Sequence, residues 1–279
     1  WSPFFHAWEL HGTYPLILDD EKVGLQAKAL FEDGKSMLQK VLDESLLSIH
    51  GVYGIFPANS ENESINIFSA KNPKEKLESL IQIRQQLKKR EGDSNFCLSD
   101  FIKSQDDYIG AFAIMVGPEV QSICEIYEAE QDDYSSIMIK VIADRLAEAI
   151  AEKLHEDIRK THWGYKPDEN LANEDLIKEY YSGIRPAPGY PACPDHTEKE
   201  KLFRLLNVKE NIGLQLTENF AMNPASAVCG WYFSHPESKY FSTGKIQKDQ
   251  VEQISALKNW DKNKTVKWLS PILGYKKES

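Results

Sequence analysis

Apolar residues recur every four positions along one stretch of the chain and predict its longest helix. The stretch starts after Asp132-Asp133, and its apolar stripe consists of Met138, Ile142, Leu146, Ile150, Leu154 and Ile158. This spacing places the side chains on one face of an α-helix. Acidic residues precede the stripe, and Gly164 and Pro167 follow it, as expected for the two ends of a helix. The pattern predicts one long central helix.

Shorter helices are predicted elsewhere by the same kind of spacing. They fall near residues 21–44, 74–90, 173–180, 249–258 and 265–269. Thr197-Glu-Lys-Glu200 has the sequence of a capping box. In such a box the Thr197 hydroxyl and the Glu200 carboxylate satisfy the first free amides of a helix, here one that runs through Leu206. The first twenty residues are rich in aromatic side chains and are expected to lie against the body of the domain.

Runs of β-branched and aromatic residues between turn signals predict strands. The runs are residues 51–57, 65–68, 108–116, 214–222, 227–234 and 240–246. Pro57 is expected to end the first run. The last three runs are separated by short turns, so we expect them to be antiparallel neighbours. The predicted fold is α+β, with a mostly antiparallel β-sheet covered by helices. It is not a Rossmann fold, because a glycine-rich dinucleotide fingerprint after a strand is missing.

Length and composition narrow the class of protein. The chain has 279 residues, which suits one large domain or two closely packed lobes. Hydrophobic residues make up 41% and charged residues 27%, as in soluble globular proteins. No apolar run approaches the roughly 18 residues of a membrane span. The net charge of −10 argues against nucleic acid as the main partner.

The cysteines and the start of the chain add two expectations. Cys97, Cys124, Cys193 and Cys229 are widely spaced, which favours reduced thiols in a cytoplasmic protein. The chain begins at Trp1 rather than Met, so we expect a piece of a longer polypeptide.

The most unusual stretch is rich in proline and runs from Gly183 to Pro194. Its prolines at 186, 188, 191 and 194 forbid a regular helix and remove four backbone donors. The segment is therefore stiff and extended before any ligand arrives. The amides and carbonyls of Ala187, Gly189 and Tyr190 have no obvious partner and are free to face a ligand, while Arg185 offers a fork suited to a carboxylate.

Composition alone leaves a second interpretation of this stretch open. A proline-rich crossing of the protein surface, whose arginine makes an ordinary salt bridge, has the same residues. Cys193 and His196 have the spacing of a metal-ligand pair, which Cys229 and His235 would complete as a zinc site. Zinc ligands usually come in tighter pairs, so no metal site is predicted.

The run from Arg185 to Lys199, Arg-Pro-Ala-Pro-Gly-Tyr-Pro-Ala-Cys-Pro-Asp-His-Thr-Glu-Lys, resembles the S-adenosylmethionine (AdoMet) signature of the methionine synthase activation domain. That family's motif is Arg-x-x-x-Gly-Tyr, which Arg185, Gly189 and Tyr190 match. Further stretches match as well, among them Gly12–Val23 and Gly230–Lys239, and the similarity runs from Trp1 to Gly274-Tyr275 with no large unmatched block. The resemblance implies one AdoMet-binding activation domain over residues 1–279, from the C-terminal end of a larger enzyme.

The resemblance also implies a set of binding residues. Arg185 would hold the methionine carboxylate, and Ala187 would meet the ligand through its backbone, with Gly189 and Tyr190 completing the motif. Asp20 would bind from the N-terminal segment. Tyr240 and position 241 would line the adenosine end. Position 241 is Phe where the family carries a second Tyr, and the missing hydroxyl leaves stacking possible without one polar contact.

Acidic side chains are a second feature of the implied site. Glu148 and Glu179 match acidic residues near the family's site. In the predicted long helix, Asp144, Glu148 and Glu152 stand four residues apart as a row of like charges. Such a row is tolerable on a solvated face, and it also suits a face that meets a cation or a docked partner. By resemblance this helix faces a cobalamin-binding domain, with Asp144 as the docking residue.

The implied function is reactivation of a cobalamin-dependent methyltransferase, methionine synthase. The module would position AdoMet to methylate cobalamin that a neighbouring domain holds, while flavodoxin or a similar donor supplies an electron. The homocysteine, folate and cobalamin-binding parts are not in this sequence. No residue resembles a general base, so no catalytic residue is predicted. The alternatives are a module that senses AdoMet without chemistry of its own and a scaffold that has lost its ligand.

Overall fold

A computed structural model of the protein describes residues 1–276. The chain forms two compact units. The first unit comprises Trp1–Gly51, Ile114–Lys153 and Ala221–Val228, and the second comprises Val52–Ala113, Leu154–Phe220 and the residues from Cys229 onward. The assignment of residues 1–279 to a single domain stays a prediction.

The strands are β1 (Ile49–Glu61), β2 (Ser64–Phe68), β3 (Lys76–Ile81), β4 (Asp107–Val116), β5 (Gln215–Leu216), β6 (Met222–Asn223) and β7 (Ala227–Tyr232). Within residues 1–276, five of them form an antiparallel sheet in the order β3-β2-β1-β4-β7, and β5 pairs with β6. Most of this sheet lies in the second unit, which contains β2 and β3 entirely. The predicted α+β class with a mostly antiparallel sheet is confirmed.

The α-helices are α1 (Ser2–Ala7), α2 (Gly24–Asp43), α3 (Glu119–Ala129), α4 (Asp133–Asp157), α5 (Asn173–Ile177), α6 (Glu198–Leu205), α7 (Val208–Ile212), α8 (Lys248–Lys258) and α9 (Lys262–Trp268). Helices α2, α5, α8 and α9 confirm predicted ones. Helix α3 was not predicted from the sequence. Short 3₁₀-helices lie at Leu16–Asp19, Leu98–Phe101 and Ser270–Ile272.

Helix α4 confirms the predicted long helix, and a π-helical segment, Ile158–His162, continues it. Its most buried line, however, lies one residue further along than the predicted stripe. That line consists of Ile139, Ala143, Ala147, Ala151, His155 and Arg159, all at most 1% exposed. The larger Leu146, Ile150 and Leu154 are only half-buried. Small residues allow close packing along the buried line, and the line ends in two buried polar side chains.

In the first unit, the core confirms that the N-terminal aromatic residues are packed against the rest of that unit. Phe4 and Phe5 are buried with Ala27 and Leu30 of α2 and with Ile139 of α4. Aromatic side chains bury large areas, so these contacts stabilise the first unit.

Two sequence predictions in the second unit are wrong. Residues 74–90 were predicted to be helical, but they contain β3, which pairs antiparallel with β2, and an extended continuation. Amides of that continuation bond to distant groups, such as Gln85 N–H to the Phe96 carbonyl at 2.9 Å. The Lys, Glu, Gln and Leu residues favour a helix locally, but pairing across the sheet overrides this weak preference. Strand β1 also continues through Pro57 to Glu61, so the turn lies at residues 62–63.

The predicted C-terminal strands are also largely wrong. Of the three runs, 227–234 contains β7, 214–222 contains only the short β5 and the first residue of β6, and 240–246 is irregular apart from one bridge at Ile246. Strand β7 lies beside β4 in the sheet rather than beside the other two runs. Proximity in the sequence therefore did not decide the pairing.

The capping box at Thr197 is likewise not formed. Helix α6 begins after Thr197, but the Thr197 side chain makes no capping hydrogen bond. Its hydroxyl donates to Asp195 Oδ1 at 2.7 Å, and its own amide donates to the same oxygen at 2.9 Å. The threonine is thus held by a buried carboxylate that precedes the helix.

Candidate ligand-binding site

The proline-rich segment runs along strand β7 in the second unit. Ile184 and Phe233 exchange two backbone hydrogen bonds of 3.0 Å, and the Trp231 amide donates to the Pro186 carbonyl at 2.9 Å. Because β7 ends the order of the sheet, the segment covers an edge that would otherwise present unpaired groups. Residues 184–186 of the segment are therefore paired with β7 and the residue after it, a pairing that the sequence does not indicate.

Beyond Pro186 the segment closes into a tight loop. The Gly189 amide donates to the Cys193 carbonyl at 2.7 Å, the Tyr190 amide to the Ala187 carbonyl at 3.1 Å, and the Cys193 amide to the Tyr190 carbonyl at 2.9 Å. The expectation that these groups are free for a ligand is wrong for the Gly189 and Tyr190 amides and for the Ala187 and Tyr190 carbonyls. Within residues 1–276, the amide of Ala187 makes no hydrogen bond, so it remains available.

Gly189 is required by the shape of this loop. Its φ is +100°, in the region that favours glycine, and a β-carbon at this position would collide with the imidazole of His196. The close backbone approach expected at Gly189 is therefore an approach to His196. The neighbouring Tyr190 side chain is 63% exposed.

Arg185 lies at the centre of a cluster of polar and aromatic side chains. Its Nη1 lies 3.2 Å from His155 Nδ1 and 3.4 Å from the Tyr181 hydroxyl. Its backbone amide donates to the hydroxyl of Tyr240 at 3.0 Å. The two tyrosine hydroxyls lie 3.5 Å apart. The structure thus brings together Arg185 and Tyr240, both predicted site residues, and adds His155 and Tyr181.

His155 is a buried, neutral imidazole. Its side chain is completely buried, and burial, together with the positive charges of Arg159 and Arg185, lowers the pKa of His155 well below its ordinary value. A guanidinium only donates hydrogen bonds, so Nδ1 accepts and the proton is on Nε2. The ring stacks on Tyr232 at 5.1 Å between centroids, and Tyr232 stacks on Phe112 at 4.6 Å.

Another arginine, the buried Arg159, packs against Tyr181. The Arg159 guanidinium lies 4.6 Å from the Tyr181 ring centroid, and its Nε donates to Glu169 at 2.8 Å. Arg159 is paired with a carboxylate and is not exposed to solvent. It therefore supports the ring of Tyr181 and keeps that ring beside Arg185.

Phe241 and Glu179 also belong to the second unit. The Phe241 ring packs at 6.0 Å from Phe96 and 6.4 Å from Phe101, within an aromatic cluster. Glu179 is exposed and adopts a positive φ of 57° shortly after the end of α5.

Asp20 and Glu148 belong to the first unit, as does Asp144. The Asp20 carboxylate accepts the amides of Lys22 at 2.8 Å and Val23 at 3.0 Å through Oδ1, and these bonds lower its pKa. Glu148 is exposed on α4. Asp144 is exposed as well, and it accepts a hydrogen bond of 2.6 Å from Ser226. The acidic row on α4 therefore contains at least one residue with a defined partner in its own unit.

The end of the loop is anchored by a buried ion cluster in the second unit. Lys258 Nζ lies 2.5 Å from Asp195 and 2.6 Å from Glu198, and all three side chains are at most 3% exposed. Lys201 adds a second cation 2.9 Å from Glu198. Burial alone would lower the pKa of Lys258, but the carboxylates of Glu198 and Asp195 outweigh it and raise that pKa. The cluster fixes the start of α6 directly after the loop.

Among residues 1–276, no group of three or more His, Cys, Asp or Glu side chains is arranged to hold a metal ion. The four cysteines are free and buried, and burial raises the pKa of Cys229 to about 12. None of the helices described combines the length and apolar character that a membrane span requires.

Sequence reasoning missed His155 and Tyr181. A signal for His155 was present, because it continues the four-residue spacing of Ala143, Ala147 and Ala151 on α4. A polar side chain at the end of a line of small, buried residues needs a partner inside the protein. Tyr181 carried no comparable signal beyond its position four residues before Arg185.

The antiparallel fold, the long helix and the arginine-centred loop define an activation domain of the methionine synthase type. The chain belongs to the family described as "Vitamin B12 dependent methionine synthase, activation domain", which matches residues 1–259. It is also similar to a solved structure described as "Crystal Structure of the MetH Reactivation Domain bound to AdoHcy". The two share 49% sequence identity and a TM-score of 0.95, over 99% of this chain and 86% of that chain. The family resemblance is confirmed.

Proposed function

We propose that this chain binds AdoMet at the loop from Arg185 to Tyr190 and serves as the reactivation module of a cobalamin-dependent methionine synthase. The observation that carries the proposal is the cluster around Arg185, beside the unbonded Ala187 amide. His155 and Tyr181 contact the cationic fork of Arg185, and Tyr240 holds its backbone amide. The similar structure with bound AdoHcy supports it, since AdoHcy is AdoMet without the transferable methyl group.

The chemistry of the residues fits the ligand. AdoMet carries a carboxylate, an ammonium and a sulfonium, so its site needs one cation and several acceptors. Arg185 supplies a bidentate donor for the carboxylate, and the Ala187 amide supplies one further donor. Tyr240 and Phe241 offer aromatic faces for the adenosine end.

Three acidic residues, Asp20, Glu148 and Glu179, are proposed to contact the ligand by family resemblance. Asp20 Oδ1 takes both local amide bonds, which leaves Oδ2 without a hydrogen bond among the described residues. A carboxylate in that state suits the ligand's ammonium group.

The proposed role requires positioning rather than acid–base chemistry. AdoMet supplies an already activated methyl group, which would go to cobalamin held by a neighbouring domain, with flavodoxin or a similar protein as electron donor. The residues of this chain would bind and orient the sulfonium ligand. Asp144, whose carboxylate is exposed, is the proposed docking residue for the cobalamin domain.

Calorimetric titration of the chain with AdoMet and AdoHcy tests the binding step. Saturable binding of both is expected, and no heat with either ligand would leave the scaffold alternative. A second experiment adds a cobalamin-binding domain, a reductant and AdoMet labelled in its methyl group. Labelled methylcobalamin is the expected product. Binding without labelled product would favour the sensing module, which has no chemistry of its own.

A further inference from the structure

His155 has a polar role that helix packing does not explain. It occupies a fully buried position on α4, next to the small residue Ala151 one turn earlier. Burying a polar ring without a hydrogen bond costs free energy, and an apolar residue would fill the same space without that cost. Among residues 1–276, His155 Nε2 has no hydrogen-bond partner, so the polar contribution of the ring lies in Nδ1.

His155 Nδ1 accepts a hydrogen bond from the Arg185 guanidinium, whose Nη1 lies 3.2 Å away. The same Nη1 lies 3.4 Å from the Tyr181 hydroxyl. These two contacts orient the guanidinium. A charge-assisted hydrogen bond of this kind is stronger than one between neutral groups.

The surrounding rings hold the imidazole in one orientation. Tyr232 stacks on it with an interplanar angle of 17°, and Phe112 stacks on Tyr232 at 19°. Tyr181 meets it edge to face at 5.0 Å and 78°. A small rotation would break the stack, and a half-turn would put Cδ2 in place of Nδ1 and lose the contact with Arg185, so the stack and this contact together fix the direction of Nδ1.

We infer that His155 is a positioning residue that holds the Arg185 guanidinium in the orientation that receives the ligand carboxylate. This inference rests on the proposed function, because it presumes that Arg185 binds the carboxylate of an AdoMet-like ligand. It adds a residue outside the loop that acts on the ligand only through Arg185. A functional group must be held within a fraction of an ångström, and its supporting shell does this.

Two variants test the hydrogen-bond acceptor and the aromatic ring of His155 independently. His155→Phe keeps an aromatic ring for the stack and removes the acceptor. His155→Asn loses the ring, but its Oδ1 stands where Nδ1 stood, one atom beyond Cγ, and retains an acceptor. We expect His155→Phe to bind AdoHcy about tenfold more weakly or worse, because it loses a hydrogen bond to a charged group. His155→Asn should recover most of that loss.

A second ligand distinguishes positioning from general damage. 5′-Methylthioadenosine retains the nucleoside and the thioether but lacks the amino-acid carboxylate. Its affinity, measured by competition, should be the same in wild type and His155→Phe. An equal loss for both ligands, or an unchanged AdoHcy affinity, would overturn the inference. Failure of the wild type to bind AdoHcy would instead contradict the proposed function.

Two further measurements test the role of His155 if a variant folds poorly or a ligand binds weakly. In an Arg185→Ala background, His155→Phe should have no additional effect on AdoHcy affinity, because the residue acts through that arginine. Nitrogen-15 NMR of the wild type should show His155 Nδ1 unprotonated and Nε2 protonated. A protonated Nδ1 would exclude the hydrogen bond and overturn the inference without any mutation.

Discussion

Tyr240 accepts a hydrogen bond of 3.0 Å from the backbone amide of Arg185, although 55 residues separate them in the chain. The contact fixes the start of the proline-rich loop to a segment that has no regular secondary structure of its own. It also places a tyrosine hydroxyl between the backbone of Arg185 and the hydroxyl of Tyr181.

Replacing Tyr240 by Phe removes the acceptor and leaves the ring. We expect the free energy of unfolding to fall by about 1 kcal/mol, because the Arg185 amide loses its hydrogen-bond acceptor. Urea unfolding followed by circular dichroism measures this. Tyr108→Phe is the matched control, since the exposed Tyr108 hydroxyl makes no hydrogen bond among the described residues. Equal stabilities of the two variants would contradict the prediction.

Replacing Arg185 by Ala should weaken AdoMet binding by about 2–4 kcal/mol, the usual cost of leaving a paired charge without its partner. Arg185→Lys should recover only part of this, since lysine retains the charge and lacks the planar fork. Calorimetry measures both. Arg204→Ala, which removes an exposed ion pair with Glu78, is the control and should bind normally. Unchanged affinity in Arg185→Ala would remove this residue from the site.

Replacing Gly189 by Ala should destabilise the loop more than a positive φ alone would. The β-carbon would meet the His196 ring, whereas at Gly92, with a φ of +92°, nothing lies within 4 Å. We expect Gly92→Ala to cost about 1 kcal/mol of unfolding free energy from the backbone conformation alone. Gly189→Ala should cost clearly more and should also weaken AdoHcy binding. Similar costs for both variants would show that the collision is relieved easily.

Replacing Lys258 by Met leaves Asp195 and Glu198 as buried carboxylates without their nearest cation. We expect a loss of about 3–5 kcal/mol in unfolding free energy. Lys28→Met, which breaks an exposed pair with Asp19, should change stability by less than about 1 kcal/mol. The folded-state pKa of Lys258 is raised. Its contribution to the free energy of unfolding is therefore fully present below the unfolded pKa of about 10.4 and is lost as the pH rises through the folded-state pKa. A stability near that of wild type would show that the cluster rearranges.

His155 should make the protein less stable in acid. Arg159 and Arg185 lie near its ring with Tyr181 and Tyr232, and its folded-state pKa is far below that of an unfolded histidine, about 6.5. Below that pH the unfolded chain takes up a proton that the folded chain does not. Stability should therefore fall by up to about 1.4 kcal/mol per pH unit as the pH drops below 6.5. Urea titrations between pH 7.5 and 5 should show a shallower fall in His155→Phe. Parallel curves would exclude this contribution.

Local patterns predicted those parts of the molecule whose structure depends on neighbouring residues. Helix α4 was predicted because its apolar spacing persists over more than five turns. Residues 74–90 were mispredicted because their helix-favouring composition is weaker than the pairing of β3 with β2. Strand pairing joins residues that lie far apart in the chain, so spacing cannot reveal it.

The candidate site likewise combines features that the sequence predicts with contacts that only the structure reveals. Arg185, Gly189 and Tyr190 follow each other closely and were found as a motif, as was the stiffness that the prolines confer. The hydrogen bonds that close the loop, and the contact of the segment with β7, became visible only in the structure.

By itself, the sequence determined the family, the α+β class, the long helix and the arginine of the proline-rich motif, because these follow from short-range spacing and a contiguous motif. Only the tertiary structure decided what surrounds that arginine. His155 lies 30 residues before it and Tyr240 lies 55 residues after it. These partners depend on how the chain packs. A hydrogen bond requires two groups to meet in a defined direction, and no local sequence pattern brings these distant groups together.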